Sequence, residues 1–192
     1  MGHGTETIHQ SRPSWDDGFE PKDFMELFIN DDLVNHLVIQ TNLMAQQFIS
    51  KNPNLPKYSN VHSWTPTNPT EMKVFLAIVL MMGLVKKPKI SDYWSTDPVF
   101  YMPIMSKVMK RNRFQLLLKF WHFNNSTAPD AKDTNRDRLY KIRPLLDHLF
   151  EKFQELYTPT QNVSIDESLL LWKGRLLFRQ YIPMKRSRFG VK

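Results

Sequence analysis

Cysteine is missing from all 192 residues. No disulfide framework and no cysteine-ligated zinc site can form within the chain. Its absence fits a reducing compartment. No stretch of 18 uncharged apolar residues occurs, so no segment reads as a transmembrane helix. The opening MGHGTETIHQ lacks the apolar core of a secretory signal. Glu6 stands where a myristoylation site needs Ser or Thr. The six histidines (His3, His9, His36, His62, His122 and His148) are scattered without metal-ligand spacing, which argues against a histidine metal site.

What is present is apolar material and positive charge. Hydrophobic residues make up 41%, with 13 Phe, 5 Trp and 6 Tyr, enough to build a core and to exclude wholesale disorder. The charge is unevenly spread. Residues 1–35 hold eight acids and two bases, which leaves +13 on the remainder of a chain whose total is +7. Residues 163–192 hold seven bases against Asp166 and Glu167. An acidic entry followed by a basic body suits a polyanionic partner, although a solvated basic face has the same composition.

Residues 1–19 are polar and acidic and read as a disordered tail. From there the apolar spacing predicts helices over 22–29 and 33–49, the second capped by Asp31 or Asp32. The stretch 51–69 contains four prolines and no period, and reads as a loop. Thr70 and Glu71 begin a helix to Val85 that is apolar almost all round, so it is expected to be buried and central. ISDYW (90–94) is a short capped piece. Ser106 caps a predicted helix over 107–123, whose first turns carry Lys107, Lys110, Arg111 and Arg113 against the helix dipole. Such placement is a weak hint of a functional face. A polar loop (124–137) leads to a helix over 138–157, in which Pro144 either makes a kink or marks the true first turn. Trp94, Trp121 and Trp172 read as core rather than DNA-stacking residues.

Beyond Pro159 the period changes. VSIDESLLLW (163–172) reads as a strand, Lys173-Gly174 as a turn, and RLLFRQYI (175–182) as a second strand forming a hairpin with the first. RFGVK opens a third. Alternation places Ser164, Asp166 and Ser168 on one face. A strand carboxylate among small polar residues is a weak metal-ligand signal, and is more often structural. Lys173 and Arg175 flank the turn, and Lys185, Arg186 and Arg188 cluster beyond the second strand, spaced to track phosphates. Lys185–Arg188 also makes a loose match to a nuclear import signal.

The segment NVSIDESLLLWKGRLLFRQYIPMKRSRFGVK resembles the region around the first catalytic Asp of piggyBac-type transposases. DRLYKIRPLLDHLFEKFQELYTP, PTEMKVFLAIVLMMGLVKKPKISDYWS, MKRNRFQLLLKFWHFNN and IQTNLMAQQF are similar to further landmarks of that family, in the family's order, across residues 20–192. The resemblance implies a mainly α-helical dimerisation and DNA-binding domain (20–158). The first strands of an incomplete ribonuclease H-like α/β catalytic domain (159–192) follow it. It implies DNA as partner, a homodimer, the nucleus as location, and neither a membrane nor a small-molecule substrate. It also implies Mg²⁺ held by three Asp side chains, with in-line displacement at phosphorus. Asp166 matches the first of the three. No residue here matches the other two, and one carboxylate holds Mg²⁺ poorly. The 192 residues are therefore expected to be a truncated form, inactive by itself and binding no metal alone. The competing reading is a non-enzymatic DNA-binding or dimerisation module derived from a transposase.

Overall fold

A computed structural model describes residues 18, 20–125, 137, 139–157, 170–171, 180–183 and 189–191. The chain divides into two units, Met1–Leu156 and Tyr157–Lys192. The expectation for the acidic tail falls almost wholly outside the described residues.

The first unit is helical. Helix α1 spans Pro21–Phe28 and α2 spans Asp31–Lys51. The cap of α2 is Asn30, not Asp31 or Asp32: its side-chain oxygen accepts from the Leu33 N–H at 3.0 Å. Both acids instead lie in the first turn, where the dipole favours them. The proline-rich stretch contains a single 3-10 turn, Asn60–Ser63, with Val61 buried. Helix α3 spans Pro69–Leu84 and starts one residue before Thr70. Asn68 caps it, accepting from the Glu71 N–H at 2.9 Å, and Pro69 fills the first position, where its missing N–H costs nothing.

Helix α3 is not buried all round. Met72, Phe75 and Ile78 are buried, whereas Leu80 and Leu84 are 49% and 86% exposed. The main core lies on one side of it. Leu33, Val34 and Leu37 of α2 meet Phe75 there, along with Phe114 and Leu117. Each such fully buried side chain contributes about 1.5–3 kcal/mol by area removed from water. A second cluster joins Ala45, Val61, Leu116 and Phe120.

The predicted helix 107–123 is two helices. Helix α4 spans Pro103–Val108 and α5 spans Arg111–Phe120, and Ser106 lies inside α4. Met109 is extended (φ −155°, ψ 139°). Its carbonyl accepts from the Trp94 indole N–H at 2.7 Å, while its side chain enters the core. A backbone carbonyl aimed sideways at an indole cannot also continue the helical ladder, so the chain breaks there. The neighbouring Tyr93 closes the other end of the ISDYW turn. Its hydroxyl donates to Val85 O at 2.6 Å, next to the end of α3.

Helix α6 spans Arg143–Leu156, shorter than the predicted 138–157. Pro144 sits in its first turn rather than kinking it, as the ring geometry prefers. It is tied to α1 by the His148 ring N–H donating to Phe28 O at 2.9 Å and by Phe28 against Phe153.

The second unit contains three short strands among its described residues: β1 (Leu170–Leu171), β2 (Gln180–Tyr181) and β3 (Phe189–Val191). The sheet order is β1-β3-β2. The expected direct hairpin of the first two strands is replaced by β3 in the middle, with Gly190 opposite both Leu171 and Gln180. Antiparallel pairing on both sides satisfies the backbone groups of β3 at each of its edges.

Candidate functional site

None of the site residues expected from sequence falls among the described residues: Asp166, Lys173, Arg175, Lys185, Arg186 and Arg188 all lie outside them. So does Trp172. Among the described residues no group of three or more His, Asp or Glu could hold a metal ion. His36 and His62 donate instead to backbone carbonyls, Phe123 O at 2.7 Å and Pro56 O at 3.1 Å.

The bases singled out on the 107–123 segment are well described, and the break between α4 and α5 re-sorts them. Lys107 lies in the last turn of α4, where the dipole favours a cation. Lys110 precedes α5, and Arg111 and Arg113 occupy its first turn.

Arg113 is not a surface base. Its Nε donates to Glu71 Oε1 at 2.7 Å and its Nη2 to Glu71 Oε2 at 2.6 Å. Nη1 donates to Thr65 O at 2.8 Å. The guanidinium also lies 4.8 Å from the Trp64 ring centre. Arginine suits this place because a planar fork matches a carboxylate and stacks on a ring at once. The Arg113 hydrogen bond holds the Glu71 carboxyl below its ordinary value, against desolvation, which raises it. The Thr67 hydroxyl, 2.7 Å from Glu71 Oε2, adds to the lowering. Thr67 in turn is held by Asn42 of α2. The Thr67 N–H donates to Asn42 Oδ1 at 2.8 Å, and Asn42 Nδ2 donates to Thr67 O at 3.0 Å. Three helices are thereby joined through one carboxylate.

Sequence reading missed this network. Neither Glu71 nor Trp64 carries a local signal that it will meet Arg113, which is 42 residues from Glu71. The tryptophan expectation fares better. Trp94 packs 5.0 Å from Phe114 and Trp121 packs 5.2 Å from Phe75, so both belong to the core.

The remaining bases are different. Lys107, Lys110 and Arg111 are exposed and form no ion pair among the described residues. Lys110 lines a cleft of about 700 Å³ together with Asn68, Thr70, Val74 and Met109. Glu71 and Arg113, at the same cleft, neutralise one another. Among the described lining residues the Lys110 ammonium is the charge left unpaired at this cleft.

A family model described as Transposase IS4 matches residues 20–192. Among curated proteins, the chain is 28% identical over 172 residues to PiggyBac transposable element-derived protein 2 of Homo sapiens, covering 90% of this chain and 26% of that protein. It is 29% identical over 149 residues to PiggyBac transposable element-derived protein 5 of Homo sapiens, covering 77% of this chain and 26% of that one. PiggyBac transposable element-derived protein 3 of the same organism is matched at 28% over 172 residues, with 90% and 26% covered. The chain thus spans about a quarter of the length of these relatives. No solved structure matches it. The family match runs through the helical unit and the short strands alike, and the chain belongs to the IS4-type transposase family, with piggyBac-derived proteins as its relatives.

Proposed function

We propose that this chain serves a piggyBac-like DNA transposase. Its helical unit would bind DNA and pair with a second copy. Its second unit would open a ribonuclease H-like catalytic domain in which Asp166 is the first metal-binding carboxylate. The observation that supports this reading is the family match across residues 20–192, which includes Asp166 and the basic cluster 173–188. Metal-dependent cutting and strand transfer would belong to a protein that brings further carboxylates to Asp166. The 192 residues supply one, and Mg²⁺ keeps its waters unless several charges help. Their own contribution is to bind and position DNA, with Lys173, Arg175, Lys185, Arg186 and Arg188 on phosphates. The nucleus is the proposed location.

Two measurements test this. The purified chain with Mg²⁺ should not nick transposon-end DNA. Nicking that disappears in Asp166→Ala would overturn the proposed inactivity. Binding to duplex DNA should weaken steeply with salt and on charge reversal at Lys185, Arg186 and Arg188. Salt-independent affinity, or charge-reversed chains that bind normally, would reject the phosphate role.

A second reading, a non-enzymatic DNA-binding or dimerisation module, is favoured by one observation. Among the described residues the helical unit has its own core and its own inter-helix polar network. A folded dimer in sedimentation, with DNA binding that survives Asp166→Ala, supports it. An aggregating chain counts against it.

A further inference from the structure

Between Asp97 and Asp130 the sequence has no acid, but has five bases: Lys107, Lys110, Arg111, Arg113 and Lys119. The fold spends the charge of Arg113 on Glu71. The other four remain exposed. On α5, Phe114, Leu116, Leu117 and Phe120 are buried, so the opposite face is the one turned outward. Arg111, Gln115 and Lys119 recur on it at every fourth position, and all three are exposed. Lys107 and Lys110 are exposed on the segment just ahead of it.

This ridge is flanked by two concavities. Beside its beginning is the cleft of about 700 Å³ at Lys110. Beside its end is one of about 300 Å³, lined by Gln115 and Lys119 together with Tyr58 and Asn60. Lys119 rests its ammonium 4.2 Å from the Phe48 ring centre, which aims the side chain without neutralising it.

Placing Arg111 in the first turn of α5 and Lys110 just ahead of it works against the helix dipole. Nothing within the described residues offsets that placement. Uncompensated cations held on a rigid helix fit an external row of anions. At 1.5 Å per residue Arg111 and Lys119 lie about 12 Å apart along the axis. That spans about three to four phosphates of one strand, which follow one another every 3.4 Å along the duplex axis.

We infer that the outward face of α5, with Lys107, Lys110, Arg111 and Lys119, is a docking edge for the phosphate backbone of duplex DNA. The inference rests on the DNA-binding reading above and names the face of the helical unit that would carry it. Contacts of this kind position a duplex without reading its sequence.

The test is a salt titration of the full 192-residue chain on a fluorescent duplex of arbitrary sequence. Lys110→Ala with Arg111→Ala is compared with Lys86→Ala with Lys89→Ala, which removes two exposed bases from outside the ridge. Each lost phosphate contact should flatten the slope of log affinity against log salt by about 0.9. The ridge variant should lose about 1.8 in slope and on the order of tenfold or more in affinity near 0.1 M salt. The Lys86/Lys89 variant should do neither. The ridge variant should also melt no lower than the parent, because removing cations from a helix start relieves the dipole; loss of binding with unchanged melting cannot be a folding defect. If the parent binds duplex DNA and the ridge variant keeps its affinity and slope, the inference falls while the DNA-binding reading stands. Equal losses in both variants would overturn it too, as would a loss confined to single-stranded RNA. A parent chain that does not bind duplex DNA overturns both.

Discussion

Arg113 and Glu71 face each other through two parallel hydrogen bonds of 2.6 and 2.7 Å, joining the first turn of α5 to the first turn of α3. Their side chains are 17% and 25% exposed, so the pair is screened less than a surface ion pair. Arg113→Lys keeps the charge but loses the fork, the Thr65 contact and the stacking on Trp64. Chemical denaturation should show a loss of about 2 kcal/mol, the scale of hydrogen bonds to charged groups. A double-mutant cycle with Glu71→Gln should return a clearly non-zero coupling. Independent effects would mean that the fork is not formed in solution.

The same pair sets an acid limit. Glu71 has its folded-state value lowered from 4.5, chiefly by the Arg113 hydrogen bond. A carboxyl lowered on folding contributes stability above its unfolded value, and that contribution is lost as pH falls through the folded value. The stability difference between the parent and Arg113→Met should therefore be flat from pH 8 to about 5 and shrink below about 4.5. Asp137 acts in the same sense at a lower range. The Arg143 hydrogen bond, first, and the Leu139 N–H hold it at about 2, and its exposure makes the effect sensitive to salt. A stability difference that grows on acidification would contradict this account.

Phe75 is fully buried between α2 and α5, with Phe114 and Trp121 both 5.2 Å from its ring centre. Phe75→Ala should cost about 3–5 kcal/mol, the range for deleting a core phenylalanine. Leu84→Ala, at the exposed end of the same helix, should stay within about 0.5 kcal/mol. Thermal melting of the two variants distinguishes them, and similar losses would mean that α3 is covered on both faces.

Trp94 fixes the break between α4 and α5 through the 2.7 Å bond to Met109 O. Trp94→Phe keeps an aromatic ring near Phe114 and leaves that carbonyl without its donor. The expected cost is about 1–2 kcal/mol. Hydrogen exchange should speed up first across residues 105–113. Exchange that speeds up uniformly would assign the effect to the core instead.

Much of the helical order was legible in advance. The spacing of Leu33 and Leu37, or of Leu146 and Leu149, reports a helix because one face must be apolar wherever it packs. The errors fall where a distant partner decides. Residues 107–123 read as one helix, since nothing local shows that an indole from residue 94 will take the Met109 carbonyl. The helix from Glu71 to Val85 read as buried all round, since hydropathy does not tell which face finds a neighbour. Among the described residues the strand order differs for the same reason: a Lys-Gly pair in sequence favours a local hairpin, whereas β3 pairs with both other strands.

The candidate site divides in the same way. Sequence alone determined the family and the acid-free basic stretch between residues 97 and 130, because these are properties of residue order and composition. Only the tertiary structure decided which of those bases are free. Arg113, placed against the dipole like Arg111, is consumed by a carboxylate 42 positions earlier in the chain, and Arg111 is not. A charge is neutralised by what lies within a few ångströms of it in space, and that distance is set by packing rather than by order along the chain.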